Sequence, residues 1–207
     1  MWIKICGITT PDAIEAALAA GVDAVGFVFA PSPRRLTPVE AARLARPARG
    51  RVRCIAVTRH PSQSLLDEVL AELDPDVWQS DLEDMQALRT PQSLARLPVL
   101  RASRVVPEPL PARVLYEGET SGTGLACDWT GAQAIARRTQ LVLAGGLNPL
   151  NVAAAIAAVR PFGVDVSSGV EERPGLKSPQ KILEFAESAR AGFAEQSATR
   201  RAEKERQ

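Results

Sequence analysis

The sequence predicts an α/β protein folded as a single (β/α)8 barrel, the TIM-barrel architecture, with a short or missing fifth helix. Three observations predict it. Short β-branched and apolar runs alternate with Ala/Leu-rich runs from one end of the chain to the other. The alternation amounts to eight strands and about seven helices. A proline-rich stretch interrupts it once, where a helix is due. Alternation of this kind implies parallel strands joined by right-handed crossovers. Such barrels typically have about 250 residues, so a chain of 207 is a stripped-down version. The rival is an open doubly wound sheet, but no GxGxxG follows a strand.

The elements follow in order. Ile3 to Cys6 reads as the first strand. A helix over 11–20 has Thr9 or Thr10 as cap, Pro11 in its first turn and Gly21 as its stop. Strand two is Ala24 to Phe29, and helix two runs from Pro38 to Arg46 between Thr37 and Pro47. Strand three is Val52 to Val57, followed by a helix over Gln63 to Leu73 that Asp74-Pro75 ends. A short strand lies around Asp76 to Gln79, a helix at Leu82 to Leu88, and a fifth strand contains Val99-Leu100. Between Arg101 and Ala112, Pro107, Pro109 and Pro111 leave no room for a full helix. Val114 to Tyr116, a helix over Gly131 to Arg138, Leu141 to Ala144, a helix over Leu150 to Val159 and Gly163 to Val166 complete the strands. The last helix starts at Ser178-Pro179 and turns Ile182, Phe185 and Ala189 inward. The barrel domain is expected over 1–194. Residues 195–207 carry no apolar stripe and are expected to form a frayed or solvated charged tail.

Composition narrows the function. Hydrophobic residues make up 45% and charged residues 24%, enough apolar surface for a core. Lys and Arg number 25 against 24 Asp and Glu, so the basic excess of a nucleic-acid binder is missing. Aromatics at 4% supply few platforms for base stacking. No run is long and apolar enough to span a membrane, and the N-terminus has no signal-peptide pattern. Cys6, Cys54 and Cys127 are widely spaced and form neither a disulfide framework nor a CxxC pair. A single histidine, His60, cannot build a His-rich metal site. The expectations are a cytoplasmic protein without a His-rich or CxxC metal site, binding neither nucleic acid nor membrane.

In a barrel the chemistry sits at the C-terminal ends of the strands. Cys6 and Gly7 stand after strand one, Arg34 and Arg35 after strand two, and Glu117 after strand six. Gly145-Gly146 follows strand seven, and Asp165 with Ser167-Ser168-Gly169 lies at strand eight. The last two groups form a phosphate-site pattern: glycines admit a close backbone approach, and serines and amides donate. The bland alternative makes them turn glycines and a capping serine pair. Cys6 reads either as a buried small hydrophobe or as a thiolate with a lowered pKa. Glu117 reads as a solvated loop carboxylate or as an acid facing the same mouth. Arg34-Arg35 reads as an anion clamp or as surface charge. His60 is expected in solvent, and Cys54 and Cys127 in packing roles.

Taken together, Lys4-Ile-Cys-Gly-Ile8, Ala24-Val-Gly-Phe-Val-Phe29, Ser32-Pro-Arg-Arg35, Asp128-Trp129, Leu143-Ala-Gly-Gly-Leu-Asn-Pro149 and Val164-Asp-Val-Ser-Ser-Gly-Val-Glu171 resemble the phosphoribosylanthranilate isomerases of tryptophan biosynthesis. The motifs occur in the family's order from Ile3 to Ala189. The resemblance implies an Amadori rearrangement of a small phosphorylated substrate with no metal and no cofactor, by a monomer or homodimer. It implies Cys6 as general base and Glu117 as general acid. It points to Arg35 for the anthranilate carboxylate, with Arg34 turned to solvent, and to Asp165 for ribose hydroxyls. It places the phosphate on Gly145, Gly146, Ser167 and Ser168.

The chain departs from the family in two places. The acid is usually Asp, and here it is Glu117. After strand four the family commonly has His-Gly, and this chain has Val77-Trp-Gln-Ser-Asp81, with Arg59-His60 nearby. Both changes fall at the rim of the implied pocket. Two competing readings are a related barrel isomerase of another phosphoribosyl amine and a non-catalytic sensor of a phosphorylated ligand. Cys6 argues against the first, since such isomerases commonly use two Asp. A turnover assay separates the second.

Overall fold

A computed structural model describes residues 1–102, 106–118 and 128–205. Eight parallel strands close into a barrel in sequence order: β1 (Ile3–Cys6), β2 (Ala24–Val28), β3 (Arg53–Val57), β4 (Val77–Asp81), β5 (Ala95–Arg101), β6 (Arg113–Glu117), β7 (Gln140–Leu143) and β8 (Gly163–Val166). The barrel closes where β1 meets β8, with Lys4 opposite Asp165 and Ile5 opposite Val166. The helices are α1 (Pro11–Ala19), α2 (Pro38–Ala45), α3 (Gln63–Leu73), α4 (Leu82–Ala87), α5 (Trp129–Ala136), α6 (Val152–Val159) and α7 (Pro179–Lys204). A small hairpin of β9 (Glu171–Arg173) and β10 (Leu176–Lys177) stands between β8 and α7.

Local chemistry places the helix starts as expected. Thr10 rather than Thr9 caps α1, accepting from the Ala13 amide, with Pro11 in the first turn. Thr37 and Glu40 form a complete capping box on α2. Ser62 caps α3, which ends on Asp74 in a left-handed conformation. Between β5 and β6 the described residues form no helix, in keeping with Pro107, Pro109 and Pro111. β4 and β5 reach further than the sequence suggests, to Asp81 and Arg101.

The fraying expected of the tail is corrected over 195–204, while most of its described residues are exposed, as a solvated tail would be. α7 continues unbroken through 195–204. Gln196 is buried with its amide toward the Pro161 carbonyl, and Glu203 takes two bonds from Arg160 at 2.6 and 2.9 Å. These contacts come from Arg160 and Pro161, which follow α6 and lie 43 and 35 positions away in sequence, so no local stripe announces them.

The period of two along each strand divides the barrel into an outer and an inner face. Ile3, Ile5, Val25, Phe27, Val164 and Val166 belong to the large core that also holds Ala13, Ile14, Ile182 and Phe185 of the helices. Leu97, Val99, Leu115, Val142 and Ala144 form a separate cluster that packs with Trp2, Val77 and Phe162. Lys4, Cys6 and Asp165 alternate with the outward residues of β1 and β8, so they face the lumen. No helix among the described residues is long and apolar enough to cross a membrane.

Candidate active site

β1 brings two polar side chains to one face. Its sequence Ile-Lys-Ile-Cys sends the isoleucines outward and Lys4 and Cys6 inward. Lys4 is 0% exposed and donates from Nζ to Asp165 Oδ1 at 2.8 Å. A buried ammonium is costly unless paired. Burial pulls the Lys4 pKa down, but Asp165 and Cys6 beside it outweigh that and hold it above the ordinary lysine value. Burial pushes the Cys6 thiol up, and the Asp165 charge adds to this, while Lys4 and Lys177 oppose the rise.

Gly7 follows with φ +75° and donates its amide to the Gly26 carbonyl at 2.8 Å. Only glycine takes this conformation freely, and its missing side chain has a use. A Cβ there would stand 2.5 Å from Arg34 Cδ, so Arg34 crosses directly over Gly7. Its guanidinium then meets Glu171 through Nε at 2.6 Å and Nη2 at 2.8 Å.

This corrects the expectation for the paired arginines. Arg34 is 8% exposed and faces the barrel mouth, and Arg35 is the one in solvent. The loop decides which one points in. The Arg34 amide donates to Ser32 Oγ at 3.1 Å, and Arg35 forms an isolated bridge with Val28 that aligns it with the end of β2.

Glu171 opens the β9–β10 hairpin and also accepts from Lys177 Nζ at 2.8 Å. Burial alone would raise the Glu171 pKa, but the bonds from Arg34 and Lys177 hold it below the usual glutamate value. Lys177 reaches on to the Ser167 carbonyl at 3.0 Å and to Ser167 Oγ at 3.2 Å. Burial lowers its pKa despite Glu171. The hairpin is tied to the β1 side of the mouth by Thr9 Oγ1, which donates to the Gly175 carbonyl at 2.6 Å.

The loops after β7 and β8 come together as the phosphate pattern requires. Gly145 and Gly146 have φ of +92° and +67°. Gly169 lies so close to the β7 loop that a Cβ would fall 1.9 Å from the Leu147 carbonyl oxygen. Asn151 anchors the β7 loop, donating from Nδ2 to the Gly146 carbonyl at 2.8 Å. Among the described residues the amides of Gly145, Gly146 and Ser167 donate to no protein acceptor. Backbone donors grouped in this way can hold an anion.

Glu117 ends β6 on the far side of the mouth and is half-buried. Arg101, at the end of β5, donates from Nη1 to Glu117 Oε1 and from Nη2 to Asp81 Oδ1, both at 2.7 Å. Burial opposes the Arg101 charge, but Asp81 and Glu117 outweigh it and raise its pKa. Asp81 stands where the family commonly has the glycine of His-Gly, so this departure has a structural consequence. His60 is exposed, as expected. Its amide and Nδ1 both meet Asp84 at 2.9 Å, and burial of Asp84 is outweighed by Ser80 and His60, which lower its pKa. Cys54 is buried in the core, and burial pushes its thiol up to about 11. Cys127 lies outside the described residues.

Sequence reasoning missed Lys4, Glu171, Lys177, Asp81 and Arg101. For Lys4 a signal was present, because a lysine two positions before Cys6 shares its face of the strand. Glu171, Asp81 and Arg101 act through partners that are remote in the chain, and Lys177 through Glu171 and Ser167, which the hairpin turn brings to it.

Comparisons with known proteins show the family and the fold. The model of the N-(5′-phosphoribosyl)anthranilate isomerase family matches residues 3–188. The curated N-(5′-phosphoribosyl)anthranilate isomerase of Rhodopseudomonas palustris is 38% identical over 91% of this chain and 98% of its own. The crystal structure of TrpF from Jonesia denitrificans is 35% identical with a TM-score of 0.77, covering 93% of this chain and 98% of that one. A phosphoribosylanthranilate isomerase solved in complex with reduced 1-(o-carboxyphenylamino)-1-deoxyribulose 5-phosphate is 29% identical with a TM-score of 0.75, covering 92% and 99%. The chain belongs to the N-(5′-phosphoribosyl)anthranilate isomerase family.

Proposed function

We infer that this chain converts N-(5′-phosphoribosyl)anthranilate to 1-(o-carboxyphenylamino)-1-deoxyribulose 5-phosphate, a step of tryptophan biosynthesis. One observation carries the reading. The barrel mouth sets a buried thiol beside an ammonium, with an anion cradle after β7 and β8 and a carboxyl group at β6. This is what a phosphorylated aminoaldose needs.

The cradle of Gly145, Gly146, Ser167 and Ser168 holds the phosphate. Asp165 keeps one oxygen on Lys4 and offers the other to a ribose hydroxyl. For the anthranilate carboxylate, Arg34 replaces Arg35, because it points into the mouth and keeps Nη1 beyond its two bonds to Glu171. Glu117 gives its proton to the ring oxygen. The C1′–O bond breaks, and the nitrogen lone pair forms a C1′=N Schiff base. The Cys6 thiolate then takes the C2′ proton, and the released pair forms C1′=C2′ and neutralises the nitrogen. The enolamine tautomerises, moving the C2′ hydroxyl proton away and adding one at C1′, which leaves a C2′ ketone. Atoms balance throughout, and acid and base are both residues of the protein.

The test is loss of substrate fluorescence when freshly made phosphoribosylanthranilate is added, with Cys6→Ser as the control. Absence of turnover by the intact protein would leave the sensor reading standing instead.

A further inference from the structure

The base proposed above sits in a surrounding that works against it. A thiolate is needed to take a carbon-bound proton, yet Cys6 is buried and Asp165 lies near, and both disfavour the charged sulfur. Something must offset them.

The groups facing the thiol can be named element by element. Lys4 comes from β1, Asp165 from β8 and Lys177 from β10. β2 contributes Gly26, which pairs with Cys6 across the strands. The vacancy at Gly26 matters. A Cβ there would lie 3.1 Å from Cys6 Sγ and 3.2 Å from Lys4 Nζ. The sulfur and the ammonium therefore converge on the space that Gly26 leaves open. Lys4 cannot turn elsewhere, because it is wholly buried and Asp165 fixes its Nζ at 2.8 Å. Lys177 is a lesser candidate, since Glu171 and Ser167 already engage its Nζ.

We propose that Lys4 is a positioning residue for Cys6: its ammonium, anchored on Asp165, holds the negative charge on the sulfur and keeps the sulfur aimed into the mouth. The inference deepens the reading of Cys6 as the base and rests on it. Asp165 then has two tasks, orienting Lys4 with one oxygen and meeting substrate with the other. Lys4 stays protonated throughout, so it contributes a fixed charge and no proton.

The experiment titrates the Cys6 thiol through its ultraviolet thiolate absorbance. The signal is taken as the difference between each protein and its own Cys6→Ser counterpart, which removes Cys54 and Cys127. Lys4→Met should move the titration upward by a unit or more, which is about a tenfold lower thiolate fraction at a given pH below the midpoint. The same variant should lose turnover about tenfold or more with KM within a fewfold, because Lys4 does not touch substrate. If the Lys4→Met curve overlays the wild-type curve, the inference is wrong. Lys4→Met leaves Asp165 buried without its partner and can fail to fold. In that event Asp165→Asn is compared with the Lys4→Met/Asp165→Asn double variant, and the same upward move is expected between those two. Failure of the underlying reading looks different. Cys6→Ser would then turn over substrate normally, whatever the titration shows.

Discussion

Arg34 and Glu171, 137 positions apart in the chain, meet through two bonds across the mouth of the barrel. The pair joins the loop after β2 to the hairpin after β8 and borders the lumen beside Cys6. It also separates two adjacent arginines that look alike in the sequence. Arg34→Ala should raise KM more than it lowers turnover, because the anthranilate carboxylate is remote from the reacting carbons. Arg35→Ala should stay within a fewfold of wild type. Steady-state kinetics of both variants check this, and equal behaviour would overturn the assignment.

Gly7→Ala should destabilise the protein by about 1–3 kcal/mol, the usual cost of holding a residue with a side chain in a strained backbone region. The φ of +75° supplies the strain, and the clash with Arg34 Cδ adds to it. Denaturant unfolding measures the loss. KM should rise as it does in Arg34→Ala, because the new methyl group displaces the arginine.

Cys6→Ser should reduce turnover by at least ~10², since a general base contributes 10²–10⁴. The hydroxyl is close in size to the thiol, so far-UV circular dichroism and melting temperature should not change. A variant within a fewfold of wild type would remove Cys6 from the mechanism.

Glu117→Gln should lose activity on the same scale, because an amide cannot deliver the proton. Glu117→Asp restores the usual family residue, yet it should lose activity on the order of tenfold or more. The carboxyl would retreat by one methylene from Arg101, now 2.7 Å away, and charge-assisted bonds are worth about 1.5–3 kcal/mol. An Asp variant equal to wild type would show that the Arg101 contact is immaterial.

Glu171 sets a direction for acid stability. Its pKa in the folded protein lies below the unfolded value, because Arg34 and Lys177 favour the carboxylate. The stabilisation is complete above the unfolded value near 4.5 and is lost as pH falls through the folded value. Glu171→Gln should therefore be less stable than wild type at neutral pH, and its stability should fall less steeply between about pH 5 and 3. Urea unfolding at several pH values checks both, and parallel curves would exclude Glu171 from the acid response.

The alternation of strand and helix is a local property, and the sequence by itself determined it. Thr37 with Glu40 caps α2 through neighbours three positions apart, and the prolines at 107, 109 and 111 exclude a helix by their own geometry. The period of two in Ile3-Lys4-Ile5-Cys6 already assigns Lys4 and Cys6 to one face. The closing glycines and serines of β7 and β8 were legible because the barrel topology makes those loops neighbours. Only the tertiary structure decided which arginine points inward, that Asp81 holds Arg101 and Arg101 holds Glu117, and that α7 continues to Lys204. Each of these rests on a charged side chain finding a partner in another element. The partners lie 16 positions away for Glu117, 20 for Asp81, 43 for Glu203 and 137 for Glu171. Burying the charges of Arg34, Arg101, Asp81 and Glu171 is tolerable only when such a partner is present, whereas Arg160 and Glu203 pair at the surface, and no pattern along the chain specifies which remote residue the partner will be.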